Sequence, residues 1–316
     1  MKKLTLVILL LSLVLVGGEF TLLPRVTEYT QPFFEKYPEY NGKDVTIFVM
    51  DTGVEMSLPG LKKNPDGSVK VVDVFDASRS GDAEYVKAEN KEVDGKMYYT
   101  DGEDIFLSDY SEFDLADRDV FIGALKEENY KNGSVSDIDG NEESGDEWGF
   151  LAFQNDAEEW TVVMDTDKDG SLKGEEPIHK YSKNHNYIML PRKNPLFNHQ
   201  WMALAVNFYP ERKVVNFHFD DGAHGTHVAG IAAGYHINGD DDVNGLAPAA
   251  KVVSIKIGNG ACPGSATVTG SKKRGLEFVE KYMEEHGGYG VINLSYGIAA
   301  SNEGFSEADH LFNNFA

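Results

Sequence analysis

The segment His224-Gly225-Thr226-His227-Val228-Ala229-Gly230, continued by Ile231-Ala232-Ala233-Gly234, puts an imidazole at the head of a run of small residues. A helix of Gly, Ala and Thr can lie close against a sheet. A histidine in its first turn then stands at the rim, able to take a proton from a nucleophile and return it to a leaving group. Asp51-Thr52-Gly53 is the second chemical signal, closing an apolar, β-branched run. A carboxylate at such a strand end can accept a hydrogen bond from an imidazole, fix its tautomer and stabilise the imidazolium formed in acyl transfer. The third signal runs from Asp165 to Glu176. Asp165, Asp167, Asp169 and Glu176 fill the first, third, fifth and twelfth positions of an EF-hand loop, Gly170 permits the turn at the sixth, and Ser171 offers its carbonyl at the seventh, which points to calcium.

Each signal has a plainer alternative. A single histidine on a Gly/Ala helix is ordinarily a core or capping residue, but here a whole heptapeptide carries the pattern. Helical spacing turns His227 away from His224 and leaves it a structural part. Asp-Thr-Gly also marks aspartic proteases, whose two carboxylates share a proton. No second Asp-Thr-Gly or Asp-Ser-Gly occurs in the chain. The acidic loop has a strand-like Trp160 to Met164 before it and Pro177 directly after, so an isolated loop is expected rather than a helix-loop-helix, with a solvated turn as its alternative. Asp240-Asp241-Asp242 is a weaker place for a cation.

For Asp51 and His224 to meet, a scaffold must bring distant segments together. Asp44 to Met50 reads as a buried parallel strand. Lys251 to Ile257 and Gly290 to Ser295 read as two more. They follow the helix-like segments His224 to Tyr235 and Ser271 to His286, and in the second Leu276, Val279, Tyr282 and Met283 share one face. Lys272, Lys273 and Arg274 oppose the dipole at the start of that helix. The alternation predicts an α/β fold, a parallel sheet flanked by helices. Between Leu58 and Asp220 the rhythm gives way to short β-like runs, such as Val69 to Val74 and Trp160 to Met164, separated by acidic turns. Residues 58–220 are therefore expected to form a mostly β insertion, with 19–57 and 221–316 making up the sheet domain. The stretch from Asn132 to Trp160 carries Asp and Glu but no Lys or Arg, as an exposed loop or ion-binding rim would.

Composition narrows the partners. The net charge of −23, from 29 basic and 52 acidic side chains, repels phosphate backbones, so nucleic acid is not an expected partner. Met1-Lys2-Lys3 followed by the apolar run Leu4 to Val16 reads as a secretory signal over residues 1–18, short for a bilayer span of about 20 residues. Cleavage near Gly17 or Gly18 would leave no membrane span and a protein that is secreted or held in the cell envelope. The single cysteine, Cys262, leaves no intramolecular disulfide and is expected as a small packed side chain.

Asp51-Thr52-Gly53, His224 to Gly230, Gly245-Leu246-Ala247-Pro248 and Val291-Ile292-Asn293-Leu294-Ser295-Tyr296-Gly297 stand in the order of a subtilase, and the chain resembles that family of subtilisin-like serine proteases, peptidase family S8. The resemblance implies a seven-stranded parallel sheet, Asp51 as the orienting carboxylate and His224 as the general base. It also implies that Ser295, Tyr296 and Gly297 line the substrate cleft as a backbone strand. The insertion's start, Asp66 to Asp76 followed by Ser80-Gly81-Asp82, and Ser254-Ile255-Lys256-Ile257-Gly258 are similar to the subgroup of tripeptidyl peptidase II and pyrolysin. In the first of these, acidic side chains grip the substrate's free amino terminus, and one would fall near Val268, which is apolar here. The resemblance together with the signal segment therefore implies an extracellular endopeptidase acting on protein or peptide substrates. A tripeptidyl exopeptidase and a secreted, non-catalytic calcium-binding fragment or pseudoprotease are the alternatives. Neither an Ala-Gly-Asn segment nor Gly-Thr-Ser-Met-Ala occurs among the 316 residues, and Gly264-Ser265-Ala266-Thr267 lies upstream of the cleft motif. The nucleophilic serine is thus expected beyond Ala316, with the sheet incomplete and these residues inactive by themselves.

Overall fold

The computed structural model describes residues 31–127, 137–143, 145–196, 199–220, 222–241, 243–258, 269–295 and 307–315. Residues 1–18, expected to form a signal segment, and Cys262 and Val268 lie outside the described residues.

Strand β1 (Val45–Asp51) is apolar from Ile47 to Met50 because both its faces are covered there. Ile47 and Val49 pack with Ala229, Ala233 and Val252 on one side. Phe48 and Met50 pack with Ile255, Leu276, Val279 and Tyr282 on the other. Strands β14 (Lys251–Lys256) and β15 (Tyr289–Asn293) run parallel to β1 on its two sides, and β2 (Val71–Asp76) runs parallel beyond β14. The order is β15-β1-β14-β2, four strands among the described residues where the family resemblance implies seven. Helix α1 (His224–Ala233) covers the first face, and α2 (Thr269–His286) covers the second, with α3 (Glu307–Phe315) adding Leu311 and Phe312. Of the basic residues at the start of α2, Arg274 donates Nε and Nη2 to the Ala77 carbonyl at 2.8 and 2.6 Å.

Strand β2 falls within the stretch over 58–220 that the sequence predicts to be a β insertion, and it belongs to the parallel sheet: Val71–Asp76 pairs with β14, Ile255 opposite Phe75, so the chain leaves this sheet after Asp76. A short apolar run reads the same whether its neighbour is parallel or antiparallel, which is why the sequence does not report it.

The rest of the insertion is an eight-stranded antiparallel sheet with β3 (Asp82–Lys87), β7 (Val120–Lys126), β8 (Glu147–Gln154), β9 (Trp160–Met164), β10 (Ile178–His179), β11 (Ile188–Leu196), β12 (His199–Tyr209) and β13 (Val214–His218). Their order is β10-β9-β8-β7-β3-β13-β12-β11. One face closes over Trp148, Phe150 and Phe217, each fully buried. Truncating one of these to alanine costs about 3–5 kcal/mol. The other face packs Ile122, Leu151 and Val163 against Tyr99 and Leu107 of a small sheet, β4 (Glu89–Val93), β5 (Lys96–Thr100) and β6 (Phe106–Leu107). The period of two along β12 joins the two units. Met202, Leu204 and Val206 face the insertion's core, while Ala203 and Ala205 face the core beneath β1 and α1. The insertion is thus fused to the parallel sheet. Among the described residues, no helix is long and apolar enough to cross a membrane.

Candidate active site

Asp51 ends β1 with its side chain fully buried, and His224 begins α1 with its side chain half exposed. His224 Nδ1 stands 2.8 Å from Asp51 Oδ1 and 2.9 Å from Oδ2. With its proton on Nδ1, the ring donates to the carboxylate and keeps a lone pair on Nε2, the state a general base requires. The two residues picked out from their motifs therefore meet at one rim of the parallel sheet.

The local chain explains how. Ala223, the N-cap of α1, has φ +58° and no side chain to cap with. The helix's first amide donors are met from elsewhere. Thr52 Oγ1 accepts from Gly225 N at 3.0 Å, and Asp220 Oδ2 accepts from Thr226 N at 3.2 Å. Asp220 Oδ1 accepts from Gly222 N, Ala223 N and the Thr52 hydroxyl at 3.0, 2.9 and 2.8 Å. The Thr226 hydroxyl donates to Asp220 Oδ2 and accepts from Glu55 N at 2.7 Å. Glu55 in turn accepts from Ser57 N and from Ala203 N of β12, both at 3.1 Å. Burial pushes its carboxyl up, against the pull of those hydrogen bonds. The close crossing needs two glycines. A Cβ on Gly225 would sit 2.0 Å from the Gly53 carbonyl oxygen, and Gly53, at φ +117°, would itself strike the Phe219 carbonyl oxygen at 2.5 Å. His227 is exposed on α1.

Asp220 and Glu55, and the role of Thr226 within its motif, are not legible in the sequence. The signal that could have found them is Ala223 itself, since a helix start without an acceptor needs one close by. Of the expected cleft residues, Ser295 lies two positions past Asn293, which pairs with Val49, just as Asp51 lies two past Val49. Its Oγ donates to Asn293 Oδ1 at 2.9 Å. Tyr296 and Gly297 lie outside the described residues.

The acidic loop sits at a distance in sequence and sheet, docked on Ser108, whose backbone N and Oγ each donate to the Gly170 carbonyl at 2.9 Å. Asp165, Asp167 and Glu175 each bring an oxygen within 4.8 Å of the others'. The glutamate of this group is Glu175, one residue before the expected Glu176. A turn closed by Glu175 N on the Leu172 carbonyl, 3.3 Å, swings the chain in one residue early, ahead of Pro177. Asp165 accepts from Gly170 N at 2.8 Å and Asp169 N at 3.2 Å, while Asp169 Oδ1 accepts from Ser171 N at 2.7 Å. Burial pushes the Asp165 and Glu175 carboxyls up, and neighbouring carboxylates add to this. A second acidic group joins Asp139 and Asp146, from the acidic stretch Asn132 to Trp160, with Glu127, which precedes that stretch. There the Lys168 ammonium already supplies the positive charge, 3.1 Å from Asp139 and 2.5 Å from Asp146. Asp241 pairs with His236 at 3.2 Å, and Asp242 lies outside the described residues.

Comparison with known proteins follows the same lines. The subtilase family, peptidase S8, matches residues 42–315. Tripeptidyl-peptidase 2 of Arabidopsis thaliana is 25% identical over 88% of this chain and 24% of its own length. That of Drosophila melanogaster is 26% identical over 90% and 23%. Pyrolysin of Pyrococcus furiosus is 24% identical over 69% and 18%. The chain thus spans about a quarter of the length of the tripeptidyl-peptidase 2 relatives. The crystal structure of tripeptidyl peptidase 2 shares the fold, with a TM-score of 0.65 and 24% identity over 89% of this chain and 26% of that one. A parallel sheet whose rim joins the Asp-Thr-Gly turn to the His-Gly-Thr-His helix, together with a family match that runs through both, leads to one conclusion: the chain belongs to the subtilase family.

Proposed function

We propose that the chain supplies the aspartate and histidine of a serine-type peptidase. His224, oriented by Asp51, takes the proton of a serine hydroxyl as that oxygen attacks a peptide carbonyl, then gives it to the departing amine. The supporting observation is the half-exposed imidazole whose Nδ1 meets both oxygens of a fully buried carboxylate. Since Gly-Thr-Ser-Met-Ala is absent from these 316 residues, the nucleophile and its oxyanion donors come, in this proposal, from sequence outside them. Ser295, Tyr296 and Gly297 would run beside the bound peptide as a strand.

Two modes of cleavage are open to this machinery. The names of the tripeptidyl-peptidase 2 relatives favour release of tripeptides from free amino termini. The apolar Val268 and the leader Met1 to Val16 favour an exported endopeptidase. The gene product, assayed on matched fluorogenic peptides with free and acetylated amino termini, separates them. Refusal of acetylated peptides supports tripeptide release, and equal turnover supports internal cleavage. Failure on both sets, with no labelling by a serine-directed phosphonate, rejects the peptidase in favour of a non-catalytic protein.

The proposal includes calcium in the loop from Asp165, held by Asp165, Asp167, Asp169 and the Ser171 carbonyl, with Glu175 replacing Glu176. Two of these carboxyls are raised by burial and crowding, a cost that a divalent cation offsets. Calcium should raise the melting temperature, equivalent to about 2.7 kcal/mol at one hundred times its Kd. Protonation of the raised carboxyls should weaken the effect in acid, and Asp165→Asn should abolish it. Identical melts in calcium and in chelator would remove the ion from the account.

A further inference from the structure

Both members of the Asp51–His224 pair are followed by residues that lead to one side chain. Thr52, after Asp51, donates its hydroxyl to Asp220 Oδ1 at 2.8 Å and its backbone N–H to Asp51 Oδ1 at 2.8 Å. Gly225, after His224, donates its N–H to that same Thr52 hydroxyl at 3.0 Å. Thr226 donates both its N–H and its hydroxyl to Asp220 Oδ2. Gly222 and Ala223, which enter the helix, donate to Oδ1.

We infer that Asp220 is a positioning residue for the pair, setting the angle at which the histidine helix meets the Asp51 turn; the inference rests on the proposal that this pair is catalytic. Donors converge on both carboxylate oxygens of a side chain only 6% exposed. A carboxylate accepts on both atoms, whereas an amide presents an NH2 to one set of donors and leaves them without an acceptor. Its negative charge also lies at the N-terminus of α1, where the helix dipole favours an anion. Ala223 contributes no side-chain acceptor, so Asp220 does in trans what an N-cap side chain does locally. The insertion supplies this residue directly. Asp220 follows β13, whose last residue His218 is fixed to Ser254 of β14 by a 2.8 Å contact between Nε2 and Oγ. The inserted sheet thereby fixes the geometry at the rim, although none of its strands touches the imidazole through a hydrogen bond described above.

The test reads the pair without requiring turnover. In the isotope-labelled gene product, the His224 Nδ1–H proton should be protected from exchange by Asp51, and Asp51→Asn should abolish that protection. Asp220→Ala should also abolish it while the indole N–H resonance of buried Trp148 keeps its position. Asp220→Asn, retaining one acceptor, should restore part of it. Ala233→Gly, which weakens α1 at its far end, should leave the His224 proton protected. Wild-type protection in Asp220→Ala overturns the inference, and so does an equal loss in Ala233→Gly. If Asp220→Ala does not fold, Asp220→Asn decides, with wild-type protection counting against. If the wild type lacks a protected His224 proton and Asp51→Asn changes nothing, the pair itself is wrong and both proposals fall together.

Discussion

Replacing Asp51 with Asn in the proposed protease is expected to lower kcat by roughly 10⁴-fold while leaving KM and the fold near those of the wild type. The substitution is nearly isosteric in a fully buried site, so packing changes little. What changes is the proton. An Asn amide presented to His224 Nδ1 donates instead of accepting, which forces the ring proton onto Nε2, and the atom that must receive the serine proton no longer has a lone pair to offer. The imidazolium formed during attack also loses the charge 2.8 Å away that stabilises it. His224→Ala removes the base outright and should cost on the order of 10⁶-fold, and the double variant should be little worse than the worse single one, because the two act as a unit. Steady-state hydrolysis of a fluorogenic peptide by the gene product checks all three. An Asp51→Asn protein that keeps wild-type kcat would reject the assignment.

The parts of this site that sequence revealed are those encoded in local runs. Strand β1, helix α1 and strand β14 fall within two residues of their expected limits, since buried β-branched runs and Gly/Ala helices carry their own periodicity. Leu276, Val279 and Tyr282 are buried on one face of α2 as their spacing predicts. The parts that escaped depend on which segments cross. Strand β2 reads as any short strand, and its parallel partner β14 lies far along the chain. The glutamate near Asp165 and Asp167 is Glu175, beside a turn that the EF-hand spacing does not contain. Asp220 is one acid among many until the chain crossing at Gly53 and Gly225 brings Thr52 beneath the helix start. Motif residues are legible because chemistry restricts their type, whereas the residues that aim them are restricted only by the geometry they complete.

A buried charge at the seam between the two sheets carries a large expected effect on stability and on its pH dependence. Asp76 ends β2 and accepts from Ser78 N, Arg79 N and Gly81 N at 2.9, 3.0 and 2.8 Å, and from Asn216 Nδ2 of β13 at 3.0 Å. Burial alone would raise its pKa, but the Lys256 ammonium and these hydrogen bonds outweigh burial and hold the carboxyl below its ordinary value. Lys256 is fully buried, with Nζ 4.1 Å from the centre of the Phe219 ring. Asp76→Ala removes the charge that faces this ammonium and the acceptor of the buried Gly81 N–H, and a buried donor left without its acceptor costs by itself about 1–3 kcal/mol. The sign of the pH dependence follows from the same cluster. A depressed carboxyl stabilises above its unfolded pKa, 3.8, and that contribution is lost as the pH falls further. His218, fully buried beside it, is held well below its ordinary value of 6.5, chiefly by burial. From about pH 6.5 downward the unfolded chain therefore takes up a proton that the native chain refuses, and stability falls by about 1.4 kcal/mol per pH unit. His218→Gln should flatten that slope between pH 6.5 and 5, and urea midpoints measured across this range would show it. An Asp76→Ala protein with the wild-type midpoint would sink the argument. Lys256 lies opposite Asp51 in the sheet, so the Asp76 variant also separates stability from aim. It should lose the protected His224 proton only where the whole chain unfolds, whereas Asp220→Ala should lose it while the fold stands.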